Sequence, residues 1–467
     1  MGSHTEDIAA VILAAGLGKR FSSAVPKVLH SAAGTPLIHH VLGAVEKVRN
    51  LKRLLVVVGA SKDAVIESVR ARCPSATFVE QAELLGTGDA LRRCREALRD
   101  FEGTVLVLPG DGPLIRAGTL SMLASEHKKA QSACTLLTAR LDDPTGYGRI
   151  KRNPVGAFLE IVEEADASIA ERAIKEVSGG IWCFEKEPLF DALDRITNNN
   201  AQGEYYLPDA AAVIAFQGGR VHTVAAPDPG EIEGVNDRGQ LAEATRRLRA
   251  RKVAQVIAAG VTVEDPSTTY IDEAAVIGAE TVLRPLTFIE GSTQVGKHCS
   301  IGPSTRVVDS VVEDGAEITF SVVKGAHIGT GASVGPYASI RPGTRLQADS
   351  KAGTFVEIKG STIGEGSKVP HLSYVGDGEI GKGVNLGAGT ITGNYDSETR
   401  VKSKTVVEDG AFTGSDTTLV APVRVGRNAG TGAGSVVTRD VEEGEIVAGV
   451  PARPFRKRKT EGTETGH

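Results

Sequence analysis

Apolar residues gather in the first half of the chain as short unbroken runs. Ile8-Ala9-Ala10-Val11-Ile12, Leu54-Leu55-Val56-Val57-Val58 and Val105-Leu106-Val107-Leu108 read as parallel strands buried on both faces. Helix-like segments alternate with them, which predicts an α/β domain with crossover connections over residues 1–236. A stretch rich in Arg, Lys, Leu and Ala follows, Arg238 through Ala258, and predicts a connecting helix over 237–259.

From about residue 260 the texture changes. Aliphatic residues recur at every sixth position: Val295, Ile301, Val307; Ile328, Val334, Ile340, Leu346; Ile363, Val369, Val375; Ile380, Leu386; and Val425, Val437 with Thr431 between them. Glycine often follows, as in Ile301-Gly302, Val334-Gly335 and Val425-Gly426. Such a period fits neither a helix nor an alternating strand. It is the hexapeptide repeat of a parallel β-helix, with each aliphatic side chain pointing inward. The scarcity of aromatics, 4% with one Trp, suits a thin prism. This domain is expected over 260–452, with a basic, disordered tail over 453–467. The register breaks near Gly353 to Gly360 and from Gly393 to Lys404 predict loops leaving the prism, where function tends to collect. Flat solenoid faces often pack into oligomers.

Composition narrows the function. A hydrophobic content of 41%, a charged content of 24% and a net charge of -5 describe an ordinary soluble protein with no general pull toward nucleic acid or an anionic membrane. No run approaches the roughly 18 apolar residues of a membrane span, and acidic Glu6-Asp7 does not suit a secretory leader. Cys73, Cys94, Cys134, Cys183 and Cys299 are scattered, which fits a reducing cytoplasm and argues against a thiolate metal site.

Candidate chemistry starts with Leu13-Ala14-Ala15-Gly16-Leu17-Gly18-Lys19-Arg20, just after the first strand, and Pro26-Lys27. Small residues let backbone N–H groups approach a polyphosphate, and Arg20 and Lys27 can neutralise its charge. Asp111 follows the Val105–Leu108 run, at the carboxyl end of a strand where sites of such sheets gather. In the second half His371, expected in a break of the hexapeptide register at Pro370-His371-Leu372-Ser373-Tyr374, suits general-base work, because imidazole titrates at about pH 6.5.

These halves, in this order, resemble the bacterial bifunctional N-acetylglucosamine-1-phosphate uridylyltransferase/glucosamine-1-phosphate acetyltransferases, from about Ala10 to Pro451. The likeness rests on Gln81-Ala82-Glu83-Leu84-Leu85-Gly86-Thr87-Gly88, Asp142-Asp143-Pro144-Thr145-Gly146-Tyr147-Gly148-Arg149, Asn198 through Tyr206, and Gly234-Val235-Asn236. In the second half it rests on Phe355 through Lys359, His371 through Asp377, Asn394-Tyr395-Asp396 and Gly414-Ser415-Asp416-Thr417. The resemblance implies an α/β Rossmann-like nucleotidyltransferase domain followed by a left-handed parallel β-helix. It implies a cytoplasmic homotrimer acting on UTP, glucosamine-1-phosphate and acetyl-CoA, with no nucleic-acid or membrane partner.

The resemblance also implies roles. Mg²⁺ would be held by Asp111 and Asn236. Arg20 and Lys27 would meet the UTP phosphates, with Lys27 also stabilising the transition state. Gln81, Gly86 and Thr87 would read uracil, while Leu13, Ala14 and Gly16 line base and ribose. Gly148, Glu163, Ser178 and Asn236 would face the sugar or its phosphate. In the second domain His371 would be the base and Arg341 and Lys359 a phosphate clamp, with Tyr374 and Asn385 on the sugar. Asn394 would orient His371 or polarise the thioester, with Tyr395 assisting. Ala388, Ser415 and Ala433 would meet the CoA arm. Lys402, in competition with Lys404, and Arg453 are further candidates for phosphate contacts.

Several positions depart from the family pattern. Lys19 stands where threonine is usual, Pro109 replaces an aromatic, and Ser178 replaces a sugar-binding asparagine, so that contact becomes water-mediated or is lost. Read without the family, Asn236 is a turn residue and Glu163-Glu164 a solvated pair. Arg341 reads as half of a surface pair with Glu357. Two rival functions are a nucleotidyltransferase for another sugar or base, with the β-helix used only for assembly, and a non-catalytic sugar-nucleotide sensor. The joint presence of Arg20, Lys27, Asp111 and Asn236 disfavours the sensor. His371, Lys359, Asn394 and Ser415 together disfavour the assembly-only reading.

Overall fold

The computed structural model describes residues 7–16, 18–59 and 61–457. The chain divides into two compact units between Leu248 and Arg249.

In the first unit the described residues form a nine-stranded sheet. Strand Ile8–Leu13 lies at its centre, parallel to Leu51–Val58 on one side and to Thr104–Pro109 on the other. The continuous apolar runs are explained by burial on both faces. Ala10, Ile12, Val56, Val58, Leu106 and Leu108 pack into one core layer. Their neighbours Ala9, Val11, Leu55, Val57, Val105 and Val107 pack into the other, as the two-residue period of a strand requires. The chain runs from Ile8–Leu13 outward through Leu51–Val58 and then returns to Thr104–Pro109 on the other side. The strand order therefore reverses beside Ile8–Leu13, which makes its carboxyl end a switch point with an open crevice. The long strand Glu176–Glu185 inserts antiparallel between Thr104–Pro109 and Cys134–Arg140, with its register broken between Ser178 and Trp182. Gly180, at φ +66°, sits in that bulge and aims the strand toward the same crevice.

The second unit is a left-handed parallel β-helix. Among the described residues its walls are stacks of seven, ten and nine strands, all parallel within each stack. All the hexad positions predicted to point inward are buried, from Val295 through Val437 and including Thr431. The corners are closed by hydroxyls that satisfy backbone carbonyls, as where Ser361 Oγ donates to Lys359 O at 2.8 Å and Ser373 Oγ to His371 O at 2.7 Å. Buried polar backbone is thereby paired without widening the prism.

Three expectations are corrected. The stretch 353–360 does not leave the prism: Lys351–Thr354 and Glu357–Lys359 stack in register on Lys368–His371 and Tyr374–Gly376. Gly353 is there because a Cβ would strike the Pro370 carbonyl of the next coil. His371 accordingly lies in register opposite Thr354, not in a break. Residues Arg453–Lys457 are not tail but a strand, antiparallel to Glu445–Ala448, which ties the chain back onto the last coil; Arg458 and Lys459 lie outside the described residues. The second break does form a loop, between Ile391–Gly393 and Thr405–Val407, pinned by one bridge from Tyr395 to Lys402.

The predicted helix spans Arg238–Ala258. Its Ala244 and Leu248 pack with Phe21, Leu37 and Val235 of the first unit, while Val253 and Val256 join the β-helix core. The division between units thus falls inside this helix.

Ile358 is fully buried at the middle of the ten-strand wall. Ile358→Ala should cost about 2–5 kcal/mol through lost burial and the cavity left behind, read by denaturant unfolding. A cost below about 1 kcal/mol would mean the prism collapses around the gap.

Candidate active sites

The crevice at the end of Ile8–Leu13 is a cleft of about 950 Å³. Leu13, Ala14, Gly16, Arg20, Lys27, Gln81, Gly86, Thr87, Asp111, Gly148, Glu163, Ser178 and Asn236 all line it. Leu17 and the Lys19 side chain lie outside the described residues. Lys27 Nζ forms an ion pair with Asp111 Oδ2 and donates to Asn236 Oδ1 at 3.2 Å. Both members of the ion pair are about 15% exposed. Gly18 makes this possible: it sits at φ +59°, and a Cβ there would stand 2.6 Å from Lys27 Cβ. At Gly16 a Cβ would meet no protein atom within 4 Å, so its smallness serves what enters the cleft.

The donor set suits Mg²⁺. A carboxylate and an amide oxygen, both hard, already converge on one cationic group, and such an ion needs few protein oxygens when phosphates and water complete its shell. Among the described residues there is no group of three His, Cys, Asp or Glu side chains that could hold a metal ion. Asn236 is held by the connecting helix: its N–H donates to Gln240 Oε1 at 2.7 Å.

Gln81 is 3% exposed. Its Nε2 donates to Gly86 O at 3.0 Å and to Asp89 Oδ2 at 2.9 Å. Glu163 is not half of a solvated pair. It lines the cleft, and burial, with Asp209 and Asp166 nearby, holds its carboxyl above the usual range. Gly148 admits it, since a Cβ there would lie 3.1 Å from Glu163 Oε1. Glu164 instead meets the buried Arg149 at 2.7 Å. Ser178 accepts the Gly180 N–H at 3.3 Å and Pro109 lines the wall. The sequence alone had not singled out Tyr147, Trp182 or Gln240, which also line the cleft. Tyr147 stood inside a quoted motif, but Trp182 and Gln240 carried no local signal.

In the β-helix several of the predicted residues fall on two neighbouring edges. Backbone bonds from Leu372 to Thr354, Gly389 to His371, Asp416 to Ala388 and Gly434 to Ser415 stack His371, Ala388, Ser415 and Ala433 along one edge in successive coils. His371 is exposed. The other edge, at the far end of wall strand Tyr374–Gly376, carries Arg341, Lys359 and Asp377. Arg341 pairs with Glu357 at 2.7 Å, as the surface-pair reading anticipates, while Lys359 has no ion pair among the described residues. Asn394 is buried and its amide nitrogen donates to Asp377 Oδ2 at 2.6 Å. A Cβ on Gly376 would lie 2.5 Å from the Tyr374 hydroxyl and 2.7 Å from Asn394 Nδ2, so these groups converge over that glycine. Asn385 is exposed and bridges Lys368 and Phe412 of adjacent coils. In the loop, Tyr395 and Lys402 are exposed; Lys404 pairs with Glu379 at 2.6 Å, whereas Lys402 has no ion pair among the described residues. Arg453 is exposed, with Nη1 donating to the Ala452 carbonyl at 2.9 Å.

Residues 10–178 match the MobA-like NTP transferase domain family. The bifunctional protein GlmU of Carboxydothermus hydrogenoformans is 47% identical over 433 residues, 93% of this chain and 95% of the relative. That of Pelotomaculum thermopropionicum is 50% identical over 417 residues, 89% and 90% of the two chains. That of Thermobifida fusca is 46% identical over 469 residues, 99% and 96%. The chain belongs to the bifunctional GlmU family. It is a nucleotidyltransferase and an acetyltransferase, which act in sequence to synthesise UDP-N-acetylglucosamine.

Near Glu163, burial and the Asp166 and Glu160 charges push the Asp209 carboxyl from 3.8 up to about 6. The folded state therefore holds this proton more tightly than the unfolded state. That stabilisation is full below pH 3.8 and is lost as pH rises through about 6. Asp209→Asn should melt about 2–4 °C above the parent at pH 8 and level with it at pH 4. An equal offset at both pH values would contradict the assignment.

Proposed function

We propose that the cleft of the first unit carries uridylyl transfer through Lys27, Arg20, Asp111 and Asn236, and that His371 and its neighbours carry acetyl transfer. The observation behind the first assignment is the convergence of Lys27, Asp111 and Asn236 on one point of the cleft. An oxygen of N-acetylglucosamine-1-phosphate attacks the α-phosphorus of UTP, and the bond to the β-phosphate breaks, releasing pyrophosphate. Such a transfer needs alignment and charge neutralisation more than covalent help. Arg20 and Lys27 supply cationic donors to the phosphates, and Lys27 leaves Asp111 to do so. Asp111 and Asn236 would hold Mg²⁺, which when bound neutralises phosphate charge and fixes the two phosphates' orientation. Gln81, Gly86 and Thr87 face uracil, Leu13, Ala14 and Gly16 the base and ribose, and Gly148, Glu163 and Ser178 the sugar.

In the acetyl step the amine nitrogen of glucosamine-1-phosphate attacks the thioester carbonyl of acetyl-CoA. The C–S bond breaks, the His371 ring takes the amine proton, and the sulfur leaves as a thiolate to which that proton passes, giving the free thiol. Arg341 and Lys359 bind the sugar phosphate, Tyr374 and Asn385 the sugar. Asn394, Tyr395, Ala388, Ser415 and Ala433 hold the thioester arm, with Lys402 and Arg453 near its phosphates. The small residues stacked from Ala388 to Ala433 support a slot for a thin pantetheine chain starting at His371.

The same edge continues away from His371 as Leu372, Phe355, Tyr337 and Phe320, all exposed, with Tyr337 and Phe355 rings stacked at 5.4 Å. A ladder of apolar side chains on successive coils supports association of this edge with further copies of the chain, in a homotrimer. The scattered free cysteines support a cytoplasmic site of action. Among the described residues no helix is long and apolar enough to cross a membrane.

Asp111→Ala should lower pyrophosphate release from UTP and N-acetylglucosamine-1-phosphate at least ~100-fold, with acetyl transfer kept within about twofold. His371→Ala should do the reverse, by about 10²–10⁴-fold. Equal loss of both activities in either folded variant would refute two separate sites.

A further inference from the structure

Gln81 presents a carboxamide to the cleft, and the chemistry of a carboxamide depends on which end faces outward. Its oxygen only accepts and its nitrogen only donates. The two ends have nearly the same shape, so packing alone does not choose between them. The choice must come from hydrogen-bond partners.

Here both partners on the inner side are acceptors. Gln81 Nε2 donates one proton to the Gly86 carbonyl at 3.0 Å and the other to Asp89 Oδ2 at 2.9 Å. A carboxylate has no proton to give, so a flipped Gln81 would set its oxygen against two acceptors in a buried place. Asp89 is itself 6% exposed, and the same Oδ2 accepts from Arg93 Nε at 3.1 Å. The guanidinium keeps the carboxylate charge compensated. Gln81 is also fixed through its backbone, its N–H donating to the Val58 carbonyl at 2.8 Å. Backbone, amide nitrogen and partner are all anchored, and the Gln81 oxygen, with no protein donor among the described residues, is what the cleft receives.

We infer that Asp89 is a positioning residue for base selection: by fixing the Gln81 amide with its oxygen toward the nucleotide, it makes the cleft accept a ring N–H and reject a ring acceptor. This rests on the uridylyl-transfer reading of the cleft. Uracil carries a proton at N3 and meets an oxygen well. Cytosine carries a lone pair at N3 and sets acceptor against acceptor. A site built to bind a donor discriminates strongly against the analogue lacking it, because its own polar group is then left unpaired. Asp89 does not touch the base. Its part is to withhold the flipped state that would suit cytosine.

The test is the ratio of kcat/KM for UTP over CTP in the full chain, with N-acetylglucosamine-1-phosphate as co-substrate, for the parent, Asp89→Asn and Asp89→Leu. The parent should prefer UTP at least ~100-fold. If it does not, the uridylyl reading itself fails, whatever the variants do. Given that preference, Asp89→Leu should lower the ratio about 10–100-fold. The loss should sit in KM for UTP, with kcat held within about threefold, because the base lies away from the reacting phosphorus. Asp89→Asn should fall between, since an amide oxygen can still accept from Gln81 but its nitrogen can also favour the flip. A purely structural role would lower kcat/KM for both nucleotides alike and leave the ratio unchanged, and that result overturns the inference. Should Asp89→Leu not fold, as judged by its melting curve, the Asn variant decides. A ratio lowered at least threefold supports the inference and an unchanged ratio refutes it.

Discussion

The ammonium of Lys27, seated between the Asp111 carboxylate and the Asn236 amide oxygen, is the constraint on which the nucleotide cleft depends. These residues lie 84 and 209 positions from Lys27 along the chain, and the sheet brings them together. Placing Ile8–Leu13 between Leu51–Val58 and Thr104–Pro109 sets the loop carrying Lys27 beside the turn carrying Asp111. The strand bulge at Gly180 and the start of the connecting helix close the remaining sides. Each charge is largely shielded from water and compensated by its neighbour, so removing one partner leaves an unpaired buried group, which is costly. The same pair that stabilises the cleft is the pair that a polyphosphate and its cation would reorganise.

The β-helix solves a different problem with a simpler rule. Each wall contributes one inward aliphatic residue, so the prism is too narrow to hold an internal pocket and must put its chemistry on edges. Register then determines what lies beside what. One edge runs from aromatic rings through Leu372 and His371 to the small residues Ala388, Ser415 and Ala433, changing character at the histidine. The neighbouring edge gathers Arg341, Lys359 and the Asp377–Asn394 pair. A residue's role on such a scaffold is a matter of which coil and which edge it occupies.

That rule also explains what the sequence did and did not disclose. The hexad aliphatics and the doubly buried strands were legible because burial repeats with a fixed period. Asp111 was legible from its strand end. Asn236 and Glu163 were legible only through the family resemblance, since a turn residue and an acidic pair look solvated until tertiary structure surrounds them. The stretch 353–360 misled because its glycine answers to a carbonyl in the next coil, a contact with no local signature. Arg453–Lys457 looked like tail because a basic strand paired on one side has a solvated composition. Asp89 carries no pattern of its own, and Asp377 stood in a quoted motif without a role; only the hydrogen bonds they accept mark out what they orient.

The central claim is that Asp111 and Asn236 form a divalent-cation site on which the Lys27 ammonium also converges. Mn²⁺ binding without nucleotide, followed by the loss of the free-ion electron paramagnetic resonance signal, tests it directly. The account predicts that Lys27→Met binds Mn²⁺ at least about fivefold more tightly than the parent, because a competing and repelling charge is gone, and that Asp111→Asn abolishes the site. Unchanged or weaker binding in Lys27→Met, or undiminished binding in Asp111→Asn, would contradict it.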